Sequence, residues 1–418
     1  MSVTHEEVSS HDAGDIPNGA LAQIVRQLKQ LWQGDSGLIP IVIGLFVLVA
    51  YFQIRSSVFL SAGNITNLFV QATVFILLGM AEIWLLLLGE IDLSVGFVAA
   101  VGAACSVILL DGQFHWPWFV AIALAVVVTT AIGTLQGLLV ILLKLPSFIV
   151  TLAGLLFWQG VLIYLVDSQG TGGTISIHEK VFYDLVNANM TPLATWIFWI
   201  AAVAIAAFLM IRTDRNRRGS GLDIRPFFVT VVKIVALAIA GVTLAMIFNT
   251  NRGTFIVLEG MPFAIPIDFA VLAIGSFILT KTKAGRYIYA IGGNTEAARR
   301  AGVNVNRFRL LAFALAGATT GIAGLLFVSR LGGISDGVDG GTLVLYAVAS
   351  AVIGGTSLFG GRGKMVHAVI GGIDIATIYN GMALIVMSAA TQYMATAFVL
   401  LAAVTIDSLA RRGSTTIG

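Results

Sequence analysis

Residues 117–143 read PWFVAIALAVVVTTAIGTLQGLLVILL, without one charged residue. A helix crossing a bilayer takes about 20 predominantly apolar residues, so this stretch is long enough to span. Working outward, Lys144-Leu145-Pro146 interrupts it and a second apolar run follows at 146–166. On the other side lie runs at 38–54, 64–88 and 93–110. Further runs occupy 193–211, 226–248, 266–280, 308–329, 341–357, 364–387 and 390–409. The reading is therefore all-α: a polytopic membrane protein with about 12 transmembrane helices. A count of 10–12 stays open, because 46 glycines allow some helices to be broken or re-entrant. Composition agrees. The 418 residues are 58% hydrophobic and 11% charged, against roughly 25% charged in a soluble domain. The expected surroundings are a lipid bilayer, not nucleic acid.

Charge distribution orients the chain. With the N-terminus inside, alternation puts Arg212, Arg215, Arg217, Arg218 and Arg225 in an inner loop, and Lys281, Lys283, Arg286, Arg299, Arg300, Arg307 and Arg309 in an inner segment. Only Arg55, Lys180, Arg252 and Arg330 fall outside. Lys and Arg concentrate in cytoplasmic loops, so both termini are expected in the cytoplasm of a multi-pass protein of a bacterial inner membrane. The expected organisation is a cytoplasmic tail at 1–37, a membrane domain at 38–410 and a short tail at 411–418. Within the first tail, 20–33 has helical apolar spacing and suits either an interfacial helix or one packed on the protein. No cleavable signal peptide is evident in the polar start. The outward segments 167–191 and 330–340, the latter with Arg330, Asp336 and Asp339, are candidate docking surfaces.

Cys105 is the single cysteine, which excludes a disulfide framework and a cysteine-rich metal site. No metal site or cofactor is expected on this chain, and no catalytic residues. The string Gly360-Gly361-Arg362-Gly363-Lys364-Met365 lacks the glycine spacing and Ser/Thr of a phosphate-binding loop.

The most informative inner stretch is Gly292-Gly293-Asn294-Thr295-Glu296-Ala297-Ala298-Arg299-Arg300-Ala301-Gly302-Val303. Asn294 or Thr295 can cap a short helix there, Glu296 suits its first turn and Gly302 its end. Such a helix can dock on another protein, or merely fix topology. Arg286 through Asn294, Glu296 through Arg299 and Ala301 through Val305 resemble the coupling segment of sugar ABC-transporter permeases of the ribose/xylose/galactose type, within the branched-chain amino acid/ribose permease superfamily. Three further motifs resemble that family in the same order: Glu90 through Gly96, Pro146 through Gly154, and Ile353 through Gly361. The resemblance spans about residues 38 to 412. Glu90, where ribose permeases carry glycine, and the insertion at 212–248, an Arg-rich loop plus an extra span, resemble the xylose branch. One stretch departs from the pattern: Val344-Leu345-Tyr346-Ala347 stands where relatives carry an acidic string.

The resemblance implies a type II ABC importer-like permease. A cytoplasmic ABC ATPase would hold ATP and Mg, an extracytoplasmic sugar-binding protein would deliver cargo, and a second copy of the chain would complete the pore. It assigns coupling to Gly292, Asn294, Glu296, Ala297, Ala298, Arg299 and Gly302. Candidates for the pathway come from the residues themselves. Glu82 and Asp374 are charges at membrane depth, which normally face a cavity or partner. Glu82 and Glu90 are placed by their spacing on neighbouring faces of one helix. Asp92 suits a cap with Ser94, and Glu90 suits a cation, an arginine partner or the path. Gln71, Gln136, Asn380 and Gln392 suit sugar hydroxyls or interhelical bonds. Trp84, Phe157, Trp158 and Tyr379 suit an aromatic platform or packing. The rival class is an ion-coupled secondary transporter using Glu82, Asp92 and Asp374.

Overall fold

The computed structural model describes residues 38–111, 116–169, 172–219 and 227–388, with isolated stretches between 390 and 405. The two expected tails, with the amphipathic stretch 20–33, and half of the span expected at 390–409 lie outside the described residues. The described chain is helical apart from one small ribbon. In order it forms α1 (Leu38–Arg55), α2 (Ala62–Leu86), α3 (Val95–Asp111), α4 (Trp118–Leu143), α5 (Ser147–Asp167), β1 (Thr174–Ser176), α6 (Lys180–Asn187), α7 (Pro192–Gly219), α8 (Phe227–Asn249), α9 (Ala264–Lys281), α10 (Lys283–Gly293), α11 (Thr295–Arg300), α12 (Val305–Leu331), β2 (Gly333–Ser335), α13 (Gly340–Ile353) and α14 (Met365–Leu384). Eleven of these coincide with apolar runs in the sequence. Seven are long and apolar enough to cross a bilayer among the described residues.

Burial sorts the helices. The apolar window of α2 is 89% buried, that of α7 only 11%. Thus α2 is the central post, packed on α12, α13 and α14, while α12 also packs on α3 and α4. The pair α7 and α8 packs mostly on itself at the margin, with Ile197, Ile200, Phe208 and Phe228 exposed, as lipid-facing residues should be. The expected insertion at 212–248 falls on the end of α7 and on α8. Four of its arginines are not in a loop: α7 continues to Gly219, carrying Arg212, Arg215, Arg217 and Arg218 on the helix. Arginine is a good helix former, and Thr213 bonds back to the Leu209 carbonyl at 2.7 Å instead of breaking the turn.

The two segments read as outward surfaces form one structure. β1 and β2 pair antiparallel, with Ile175 opposite Ile334. The Asn187 amide donates to the Ser329 carbonyl at 2.7 Å, and the Ser329 hydroxyl to the Tyr183 carbonyl at 2.9 Å. The long connection is thus ordered by a ribbon and by α6, which buries Phe182 and Val186. The ribbon sits at the end of α12, whose 27 residues set it about 40 Å from the opposite end.

Asn380, a pathway candidate, has a structural partner. The Asn64 amide donates to the Asn380 Oδ1 at 2.8 Å and to the Phe59 carbonyl at 2.8 Å, pinning α14 to the start of α2. Both side chains are buried, so losing one leaves polar atoms unmet, at about 1–3 kcal/mol. Asn64→Leu and Asn380→Leu should each lower the melting temperature in detergent. Their costs should fail to add in the double variant, leaving a coupling of about 0.5–3 kcal/mol.

Candidate functional site

The four motifs meet at one end of the bundle. α2 closes on Gly89, whose φ of 78° lies in the left-handed region open to glycine. The Gly89 N–H donates to the Leu86 carbonyl and that of Glu90 to the Leu85 carbonyl, at 2.9 and 3.0 Å, the paired bonds of a Schellman stop. Glu90 therefore lies beyond the helix, not on it. Glu82 and Glu90 do not share a helix face as their spacing suggests, because this turn redirects the chain between them.

The chain from Ile91 to Ser94 is then fastened to α5 and α4. The Ile91 N–H donates to the Ser147 hydroxyl at 3.2 Å, and the Leu93 N–H to the Thr151 hydroxyl at 3.0 Å. Asp92 Oδ1 accepts the Ser94 N–H at 2.8 Å and its hydroxyl at 2.6 Å, fixing the entry to α3. Gln136 donates its amide to the Ser94 hydroxyl at 2.8 Å. The motif opening α5 thus exists to supply hydroxyls to the motif after α2. Glu90 pairs with Arg309 on α12 at 2.7 Å, with side chains 11% and 28% exposed. Of its three possible roles the structure shows the arginine partner, and Arg309 is a residue the spacing does not reveal.

The inner segment docks beneath this turn. Thr282 caps α10 by accepting the Gly285 N–H at 3.3 Å. α10 buries Ile288 and Ile291, and the Tyr289 hydroxyl donates to the Gly363 carbonyl at 2.6 Å. Gly292 packs face-on against the Leu87 carbonyl, where a Cβ would occupy the oxygen's place. The same carbonyl accepts the Gly361 N–H at 3.0 Å, so the end of α2, the end of α10 and the 353–361 motif converge on one oxygen.

Beyond this anchor projects α11. Asn294 caps it, its Oδ1 accepting the Ala297 N–H at 2.9 Å. Thr295 instead bonds back to the Ile291 carbonyl at 2.9 Å. Gly302, with φ 82°, ends the excursion. Ala298 is buried, while Glu296, Ala297, Arg299, Arg300, Ala301 and Gly302 are exposed. Glu296 faces Arg299 and Arg300 at 3.4 and 3.2 Å. Exposed pairs of this kind add little stability; they leave a charged, small-residue knob on a rigid stalk.

The membrane-depth candidates divide into met and unmet groups. Trp84 donates to the Thr319 hydroxyl at 3.2 Å, and Asn380 is tied as described. Phe157 is exposed at 62%, as a lipid-facing ring. Both carboxylate oxygens of Glu82, the amide oxygens of Gln71 and Gln136, and one oxygen of Asp374 are buried without a hydrogen-bond partner. Sequence reading passed over Asp268 on α9, buried and likewise unmet at one oxygen; a lone charge within an apolar run was the available signal. Among the described residues no cluster of three His, Cys, Asp or Glu is placed to hold a metal.

The profile of a family described as "Branched-chain amino acid transport system / permease component" matches residues 64–218 and 226–404. The chain belongs to this family. It is 35% identical over 395 residues to the xylose transport system permease protein of Escherichia coli strain K12, covering 91% of this chain and 96% of that one. It is 33% identical over 370 residues to the xylose permease of Haemophilus influenzae, covering 88% and 94%. The D-allose permease of E. coli K12 is 29% identical over 367 residues, covering 87% and 90%. No solved structure matches the chain. The match runs through all four motifs that converge at the junction.

The Glu90–Arg309 pair gives a direct check on that junction. Arg309→Ala should destabilise the protein by about 1.5–3 kcal/mol, the range for a charged hydrogen bond. The exchange Glu90→Arg with Arg309→Glu should regain part of the loss in thermal unfolding, whereas either reversal alone should not.

Proposed function

We propose that this chain is the pore-forming subunit of an ATP-driven importer that moves a monosaccharide, xylose in the first place, into the cell. The observation that carries the reading is the exposed α11 knob, rigidly joined through Gly292 to the end of the central helix. A separate cytoplasmic ATPase, binding ATP and Mg, receives the knob in a surface cleft. Its closure on nucleotide pushes α10 and α11, and with them α2 and the 353–361 motif. The bundle thereby changes between outward-open and inward-open states, a two-state element biased by the nucleotide. Both termini lie in the cytoplasm, and the β1–β2 ribbon faces outward, where a sugar-binding protein docks. Two copies of the chain form the complete pore. The xylose assignment follows the names of the two relatives at 35% and 33% identity.

The energy source separates this reading from ion-coupled transport through Glu82, Asp92 and Asp374. In cells expressing the complete system, radiolabelled xylose uptake should vanish when the partner ATPase is deleted. It should persist when an uncoupler is added with ATP held constant. The opposite pattern would establish the secondary transporter. In the same assay, Glu296→Arg should cut ATP-dependent uptake by about tenfold or more, the factor equivalent to about 1.4 kcal/mol. The membrane level of the variant should be unchanged, since Glu296 is exposed. Wild-type uptake by this variant would remove α11 from the coupling path.

A further inference from the structure

We propose that the loop joining α8 to α9 is a lipid anchor, its apex Phe255-Ile256-Val257 seated in the headgroup layer of the leaflet on the side of the β1–β2 ribbon. Those side chains are 99%, 74% and 71% exposed. A contiguous apolar patch held clear of the protein marks a contact with a membrane or another molecule.

The loop is built to present this apex. Asn251 Oδ1 accepts the N–H groups of Gly253 and Leu258, both at 3.0 Å, and the Arg252 N–H donates to the Leu258 carbonyl at 3.0 Å. Arg252 turns its guanidinium back into the base, donating to the Phe248 and Gly260 carbonyls. Gly253 lies so close to the Ile256 carbonyl that no side chain fits between them. Polar groups are thus engaged at the base, while the apex is apolar and already shaped, so insertion orders little. The base itself is fixed to the bundle. The Gly260 N–H donates to the Phe248 carbonyl and the Met190 N–H to the Met261 carbonyl, each at 2.8 Å.

Two ties between α7 and α8 measure the depth at which the loop leaves the bundle. At one end the Thr230 hydroxyl donates to Asp214, between the exposed Arg212 and Arg215. At the other the Asn249 amide donates to the Pro192 carbonyl at 3.2 Å. Between these ties α8 rises about 29 Å and α7 about 33 Å, close to the roughly 30 Å of hydrocarbon in a bilayer. The charged end marks one boundary, so Asn249 marks the other, and the apex a few residues on stands among headgroups. Lipid is the medium on this side. Val235, Ile239, Val242 and Met246 are exposed along one face of α8 that leads to the loop. The backbone limits how deep the apex goes. Among the described residues the N–H groups of Thr254, Phe255, Ile256 and Val257 make no hydrogen bond, and hydrocarbon would leave them unmet. Side chains therefore enter the boundary while the backbone stays with headgroups and water.

The test uses the assembled transporter in nanodiscs of phosphatidylcholine, with Cys105→Ala as the cysteine-free background. Nitroxide labels are placed singly at Phe255, Ile256 and Val257, and at Lys180, an exposed position at the same end of the bundle. Collision with oxygen, which concentrates in lipid, is compared with collision with a water-soluble nickel chelate. The oxygen-to-nickel ratio should be severalfold higher at the apex than at Lys180, and adding the sugar-binding protein should leave it unchanged. Phe255→Asp should bring the ratio at an Ile256 label down to the Lys180 value. The melting temperature of that variant in detergent should equal wild type, because the Phe255 side chain is fully exposed. Apex ratios equal to that at Lys180, or an Ile256 label unmoved by Phe255→Asp, would overturn the anchor. Labels shielded from nickel only when the binding protein is present would overturn it too, and would make the loop a protein-docking site.

Discussion

A single backbone carbonyl, that of Leu87, organises one end of this helical bundle. It accepts the Gly361 N–H and lies flat against Gly292. Such an approach exists only because residue 292 has no side chain, and it leaves no slack between α10 and the central helix. Interiors packed this closely transmit displacement instead of absorbing it. The Glu90–Arg309 pair and the Tyr289 hydroxyl bond add directional ties around the same point. α10, which carries α11 at its end, is thus tied to the end of α2, whereas the peripheral pair α7–α8 packs mostly on itself.

Much of the fold was legible from apolar runs, since a bilayer leaves the chain little choice but spanning helices. The runs at 117–143 and 146–166 match α4 and α5 within a residue or so. What failed was local. The arginines at 212, 215, 217 and 218 look like a loop by charge, yet they extend α7, because arginine propagates a helix as readily as it decorates a loop. Likewise Glu82 and Glu90 look like helix partners by spacing, but one glycine at 89 adopts a left-handed turn and separates them. Spacing rules assume a continuous helix, and no count of residues announces where it stops.

Site residues were legible in type but not in partnership. Asn294 capping and Gly302 ending a short helix follow from side-chain chemistry, and both are observed. That Glu90 faces Arg309, or that Asn380 faces Asn64, depends on contacts more than 200 residues apart along the chain, for which a lone sequence carries no signal. The pairing of the segments at 174–176 and 333–335 through β1 and β2 is of the same kind. Conversely, the polar residues left without partners in the core stand out only once their neighbours are known. They divide the original candidates into those that hold helices together and those left without a hydrogen-bond partner.

The central claim is that α11, the end of α2 and the 353–361 motif move as one body during transport. Pulsed EPR between spin labels at the exposed positions Glu296 and Phe359, in the assembled transporter, tests it most directly. With both labels on one of the two copies, the account predicts the same single distance with and without trapped nucleotide, while transport activity persists. A distance that shifts between those states would show that the coupling segment slides against the junction, and would contradict rigid transmission through Gly292.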